Sequence, residues 1–186
     1  MKPHHISRLL LSASLTTLLL LLQACNQVAA KQSPVERGQY LVTTMMCNDC
    51  HTPWAMGPQG PAPDMKRMLQ GHPAEVQLAA PPAGNQDWPV AFAGTNTAYS
   101  GPWGISYSAN LTPDRETGTG AWTADEFIAA LRTGRHQGRG RPILPPMPYP
   151  FISKLTDDDL RAIFAYLQTI PAIKNKVPEP QAPKGS

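Results

Sequence analysis

Apolar positions recur at helical spacing in three stretches, and each stretch carries its own start signal. Ser33-Pro34-Val35-Glu36 reads as a capping box with proline at the first helical position, so a helix should run from about Pro34 into the Cys47 region. Thr123-Ala124-Asp125-Glu126 repeats the signature before Phe127, Ile128 and Leu131, and Gly134 is a natural stop. Thr156 followed by Asp157, Asp158 and Asp159 opens a third helix with acids at the positive end of its dipole. Leu160, Ile163, Phe164 and Leu167 then form one apolar face, which reads as core.

Between the first two helices the pattern weakens. A short helix fits Asp64 to Gly71, and short strands fit Val90–Ala93 or Ile105–Tyr107. Ten of the chain's 21 prolines fall between Pro53 and Pro113, which rules out a mainly helical reading of that stretch. Residues 53–121 therefore read as a long irregular wrap, and a wrap of that length is usually functional or packed around something. Residues 171–186 show no apolar periodicity and read as an exposed tail, disordered from 174.

The N-terminus has a different logic. Lys2 and Arg8 precede an apolar run from Leu9 to Leu22, the make-up of an export signal and too short to span a bilayer comfortably. Leu22-Gln23-Ala24-Cys25 resembles a bacterial lipoprotein processing site. The resemblance implies a signal peptide over residues 1–24, lipid on Cys25 and a polar tether over 25–33. Lipid at Cys25 would hold the domain beside a membrane rather than through it. Asn26 lacks the aspartate that favours inner-membrane retention in the enteric pattern, a hint toward the outer membrane. Loss of Lys2 and Arg8 narrows the balance of 16 basic against 13 acidic residues, so the +3 net charge is mostly targeting charge. Nothing in that balance argues for nucleic acid.

The chemistry concentrates in Cys47-Asn48-Asp49-Cys50-His51. C-x-x-C-H is the attachment signature of c-type haem. Two thiols three residues apart share one side of a helical turn, where both can add to the vinyl groups of one porphyrin. His51 then sits beneath the iron as a neutral imidazole. Only three cysteines are present, so with Cys25 lipidated and Cys47 and Cys50 joined to haem none remains for a disulfide. A dithiol redox pair or half a zinc site are the other readings of Cys47 and Cys50, but no second cysteine pair or suitably spaced histidine pair follows.

Met147 stands out as a second iron ligand because Pro145-Pro146-Met147-Pro148-Tyr149-Pro150 stiffens the chain around it. A Met packed on apolar surface in a proline-rich turn is the plain alternative. Met45 and Met46 are badly placed for the far face of a haem, Met56 is a further competitor, and Met65 and Met68 read as one packing stripe. His72 and His136 each stand alone in a polar loop, and His4 and His5 leave with the signal. Arg132, Arg135, Arg139 and Arg141 can neutralise a haem propionate, dock an acidic partner, or form a solvated basic loop. Trp88, Trp103, Trp122 and the tyrosines between them, Tyr99 and Tyr107, read as haem-pocket or core packing.

From about Pro34 to Ile173 the chain resembles a class I-type cytochrome c with one haem. It is especially similar to haem domains of the cytochrome subunits of membrane-bound bacterial alcohol and gluconate dehydrogenases. The resemblance is carried by Cys47–Pro53, by Tyr107-Ser108-Ala109-Asn110-Leu111-Thr112-Pro113-Asp114 with Thr117-Gly118, by Trp122 to Gly134, and by Met147-Pro148-Tyr149 with Leu155-Thr156-Asp157. It implies a mainly α domain over 34–173, with about three main helices around the haem and the first and last crossing. It also implies Cys47 and Cys50 as thioether links, His51 as proximal ligand and Met147 as distal ligand to iron. The chain departs from those subunits in having a single C-x-x-C-H motif and a longer Pro/Gly-rich insertion at Ala55–Asp87.

The expected function is electron transfer between redox proteins at the periplasmic face of a bacterial membrane, with a dehydrogenase or terminal oxidase as partner. If Cys25 is not lipidated, the expected carrier is soluble in the periplasm. The alternative is a haem-based small-ligand sensor with a displaceable sixth ligand. A two-haem peroxidase is disfavoured by the single attachment motif.

Overall fold

Pro34 opens α1 (Pro34–Thr44) in a computed structural model that describes residues 32–183. The signal segment and Cys25 lie outside the described residues. The expected continuation of α1 into Cys47 does not occur. Met46 takes a left-handed φ of 59°, and α2 (Cys47–His51) begins as a separate short helix. A left-handed residue ends an α-helical run, and no glycine marks the place in the sequence.

α3 (Ala124–Thr133) carries the whole predicted signature. Thr123 accepts the Glu126 N–H, the Glu126 carboxylate accepts the Thr123 N–H, and Gly134, at φ 66°, donates to the Ala130 carbonyl. A single turn, α4 (Tyr149–Ile152), follows Pro148 and was not expected. In α5 (Asp157–Leu167) Thr156 caps by accepting the Asp159 N–H. Leu41 and Val42 of α1, Phe127, Ile128 and Leu131 of α3, and Leu160, Ile163 and Leu167 of α5 bury together with Leu69, Ile152 and Ile170. Each such side chain contributes roughly 1.5–3 kcal/mol on leaving water. α1 lies against α5, where Arg37 pairs with Asp159 at 2.8 Å.

The stretch expected to be irregular holds two small sheets. β1 (Trp54–Gly57) and β2 (Gly60–Pro63) form a hairpin from Trp54↔Pro63 to Gly57↔Gly60. A 3-10 turn at Met65–Arg67, capped by Asp64, replaces the short helix. β3 (Ala91–Phe92), β4 (Ala98–Gly101) and β5 (Gly104–Tyr107) make an antiparallel sheet in chain order. The strands at 91–92 and 104–107 match expectation; β4 and the hairpin do not.

The expected disordered tail is corrected over 174–183. Asn175 is buried, its Nδ2 donates to the carbonyls of Gln70 at 2.7 Å and His72 at 2.9 Å, and its Oδ1 accepts the Ala74 N–H at 2.8 Å. Gln181 and Ile105 exchange backbone bonds of 2.9 Å. Polar satisfaction rather than an apolar face holds this segment, so periodicity could not reveal it.

Candidate haem-binding site

α2 sets Cys47 and Cys50 on one short helical turn, both thiols free of disulfide and partly buried. Burial pushes the Cys47 thiol up to about 11. A redox dithiol needs a depressed thiol pKa, so this environment speaks against that reading. Among the described residues no group of three or more His, Cys, Asp or Glu could hold a metal ion, which leaves the zinc reading without ligands.

His51 follows at the end of the turn, only 7% exposed, with Nδ1 2.8 Å from the Ala109 carbonyl oxygen. A carbonyl only accepts, so Nδ1 carries the hydrogen and Nε2 keeps its lone pair. Burial holds the ring's pKa below the ordinary histidine value, against a smaller opposing push from the Ala109 bond. The imidazole is thereby kept neutral and aimed, as a metal ligand requires.

The turn is held from several sides. The Thr52 hydroxyl donates to Asn48 Oδ1 at 2.9 Å and accepts the Leu69 N–H at 2.9 Å. The Asp49 carbonyl accepts from Trp54 Nε1 at 3.0 Å and from Asn96 Nδ2 at 2.8 Å. The His51 carbonyl accepts the Gly71 N–H at 2.8 Å. Tyr99, buried beside Cys50, donates to the Asn96 carbonyl at 2.6 Å. Sequence reasoning missed Trp54 and Asn96, and no local pattern singles them out; Tyr99, read as haem-pocket or core packing, is buried. Ala109 lies within the stretch Tyr107–Asp114, whose family likeness was the available signal.

Met147 lies just ahead of α4, partly buried and packed against the core; its N–H reaches the Leu144 carbonyl at 3.3 Å. Met46, Met56 and Met65 are exposed, while Met45 and Met68 pack on the core. His72 is not in an open polar loop: it is 1% exposed, its Nδ1 bonded to Thr97 Oγ1 at 2.9 Å and its ring 5.0 Å from that of Tyr107. His136 stands edge-on to Trp122 at 4.8 Å.

The four arginines are tied within the chain. Arg132 bonds the carbonyls of Ser153 and Leu155 and the carboxylate of Asp157. Arg135 bonds the Gly140 carbonyl, Arg139 pairs with Glu126 at 3.2 Å, and Arg141 pairs with Glu179 at 3.1 Å. Arg132 and Arg139 tie loops to helices, whereas Arg135 and Arg141 tie non-helical segments to one another. Trp122 packs on the core, but Trp88 is 76% exposed, which corrects its assignment to packing.

Two unpaired thiols on one turn and an adjacent neutral imidazole with Nε2 free suit a covalently attached haem. The comparisons agree. The family model for cytochrome c matches residues 35–171, and the chain belongs to the cytochrome c family. Membership brings a covalently bound c-type haem with its iron, and a role in electron transport. The chain is 30% identical over 84% of its length to the cytochrome c subunit of a quinone alcohol dehydrogenase from Gluconobacter oxydans (strain 621H). It is 29% identical over 91% of its length to the fructose dehydrogenase cytochrome subunit of Gluconobacter japonicus. A shorter stretch, 35% of the chain, is 42% identical to the gluconate 2-dehydrogenase cytochrome c subunit of Pantoea cypripedii, of which it spans 14%. The chain spans only 26% and 31% of the first two relatives.

Proposed function

We propose that this chain is a one-electron carrier of the class I type. One haem is joined through Cys47 and Cys50, with His51 and Met147 as axial ligands. The haem supplies one-electron exchange between two oxidation states of iron; the polypeptide attaches it, orients it and limits access to it. The observation that carries the reading is the buried His51, whose Nδ1–H is spent on Ala109 and whose Nε2 is left to ligate. Met147 suits the opposite side because its proline-flanked loop limits the freedom a weak thioether ligand would otherwise lose. Such ligation raises the reduction potential relative to a second imidazole.

The relatives are named as subunits of alcohol, fructose and gluconate dehydrogenases, which supports a dehydrogenase as electron donor. Export through residues 1–24 and lipid on Cys25, followed by a tether to 33, would hold the 34–173 domain at the periplasmic face of a membrane, the outer one by the Asn26 hint. No described helix is long and apolar enough to cross a membrane.

The test is spectroscopic. The oxidised holoprotein should show a thioether-to-iron band at the red end of the spectrum. Met147→Ala should abolish the band and leave colour attached to the polypeptide on a denaturing gel. A high-spin wild-type spectrum, with ready carbon monoxide binding after reduction, would instead favour the ligand-sensor reading. Membrane release by Cys25→Ala tests the anchor.

A further inference from the structure

The chain from β5 onward bonds one candidate iron ligand and the loop that carries the other. At Ala109 its carbonyl accepts the Nδ1–H of His51. Three residues earlier, the Ser106 hydroxyl lies 2.5 Å from the carbonyl oxygen of Pro145, two residues before Met147. Ser106 is buried, so bulk water cannot replace either partner cheaply. Its oxygen also receives Trp103 Nε1 at 3.2 Å. An indole N–H only donates and a carbonyl only accepts, so the single Ser106 proton must point at Pro145.

That bond gains weight from what the loop lacks. Pro142, Pro145, Pro146 and Pro148 carry no N–H, which leaves the segment few donors with which to fasten itself. Ile143 donates to the Gly134 carbonyl at 2.8 Å, whereas the Met147 N–H turns back into its own loop at Leu144. Ser106 supplies from across the fold a donor the loop does not own.

We propose that Ser106 is a positioning residue for Met147: oriented by Trp103, it fixes the Pro145 carbonyl and with it the thioether, so that segment 106–109 sets the span between the two axial ligands. The proposal rests on the assignment of Met147 as second ligand. A thioether binds iron weakly, and its occupancy depends on how little its loop can wander.

The holoprotein serves as the material, as wild type, Ser106→Ala, Ser106→Thr, Trp103→Phe and Met147→Ala. Imidazole is titrated into each oxidised form while the red-end band is followed. Ser106→Ala should bind imidazole about tenfold more tightly, the equivalent of one net hydrogen bond of ~1.4 kcal/mol, with a weakened band. Ser106→Thr keeps a hydroxyl and should return toward wild type. Trp103→Phe should shift affinity the same way by less, and it carries the test should Ser106→Ala fail to accumulate. A wild-type imidazole affinity in Ser106→Ala, or in Trp103→Phe where that variant carries the test, overturns the proposal even if the unfolding midpoint falls. A wild type without the band, or an unchanged spectrum in Met147→Ala, overturns the ligand assignment and the proposal with it.

Discussion

Gly38 on α1 packs so closely against Ala162 on α5 that a Cβ added there would collide with the Ala162 carbonyl oxygen. Only a residue without a side chain lets the two backbones meet there, and the helices that meet carry much of the core. Gly38→Ala should therefore force α1 off α5 and destabilise the holoprotein by about 2–4 kcal/mol, as overpacking and core displacement together do. Gly94→Ala, where nothing lies within 4 Å, is the control and should be near neutral. Denaturant unfolding of the two variants checks this; equal midpoints would refute it.

Beside that contact, hydrogen bonding to Arg37 holds the Asp159 carboxyl below the usual carboxylate range, partly offset by desolvation and helped by Thr156. The folded pKa is thus depressed. The stabilisation is complete above the unfolded value of roughly 3.9 and fades as pH falls through the folded one. Asp159→Asn should be less stable than wild type at pH 7, and the gap should be smaller at pH 3. Unfolding curves at both pH values decide it; a constant gap would contradict the pairing.

Asn175 serves two carbonyls and one N–H of the 70–74 segment. Asn175→Ala leaves them without those partners in a buried site and should cost about 2–4 kcal/mol. Asn175→Asp should cost more, because a carboxylate offers no donor to the carbonyls of Gln70 and His72. Thermal midpoints of the two holoprotein variants rank them, and an Asp variant as stable as wild type would argue against this geometry.

The two thiols make a covalent prediction. Cys47→Ala/Cys50→Ala should lose haem colour from the polypeptide on a denaturing gel, while either single variant should keep attachment through the remaining sulfur. Colour that persists in the double variant would remove the thioether assignment.

Sequence alone revealed what is locally encoded. Thr123, Glu126 and Gly134 specify both ends of α3 within a dozen residues, and Thr156 does the same for the start of α5. The break before Cys47 was hidden because Met46, not glycine, takes the left-handed conformation. The β1–β2 hairpin was hidden by Pro61 and Pro63, which read against a strand, although a two-stranded ribbon with open edges tolerates them. At the site, the cysteines and His51 are contiguous and could be read directly. Their supports Ala109, Asn96 and Tyr99 arrive from 45 to 60 residues away in sequence, roughly, and only folding brings them in. The same holds for Asn175, whose three bonds span the length of the domain.

α1 meets its main packing partner, α5, across a sequence separation of 122 residues at Arg37 and Asp159, and the Cys47–His51 turn follows α1 directly in sequence. The core between these two helices therefore cannot close until nearly the whole domain is present.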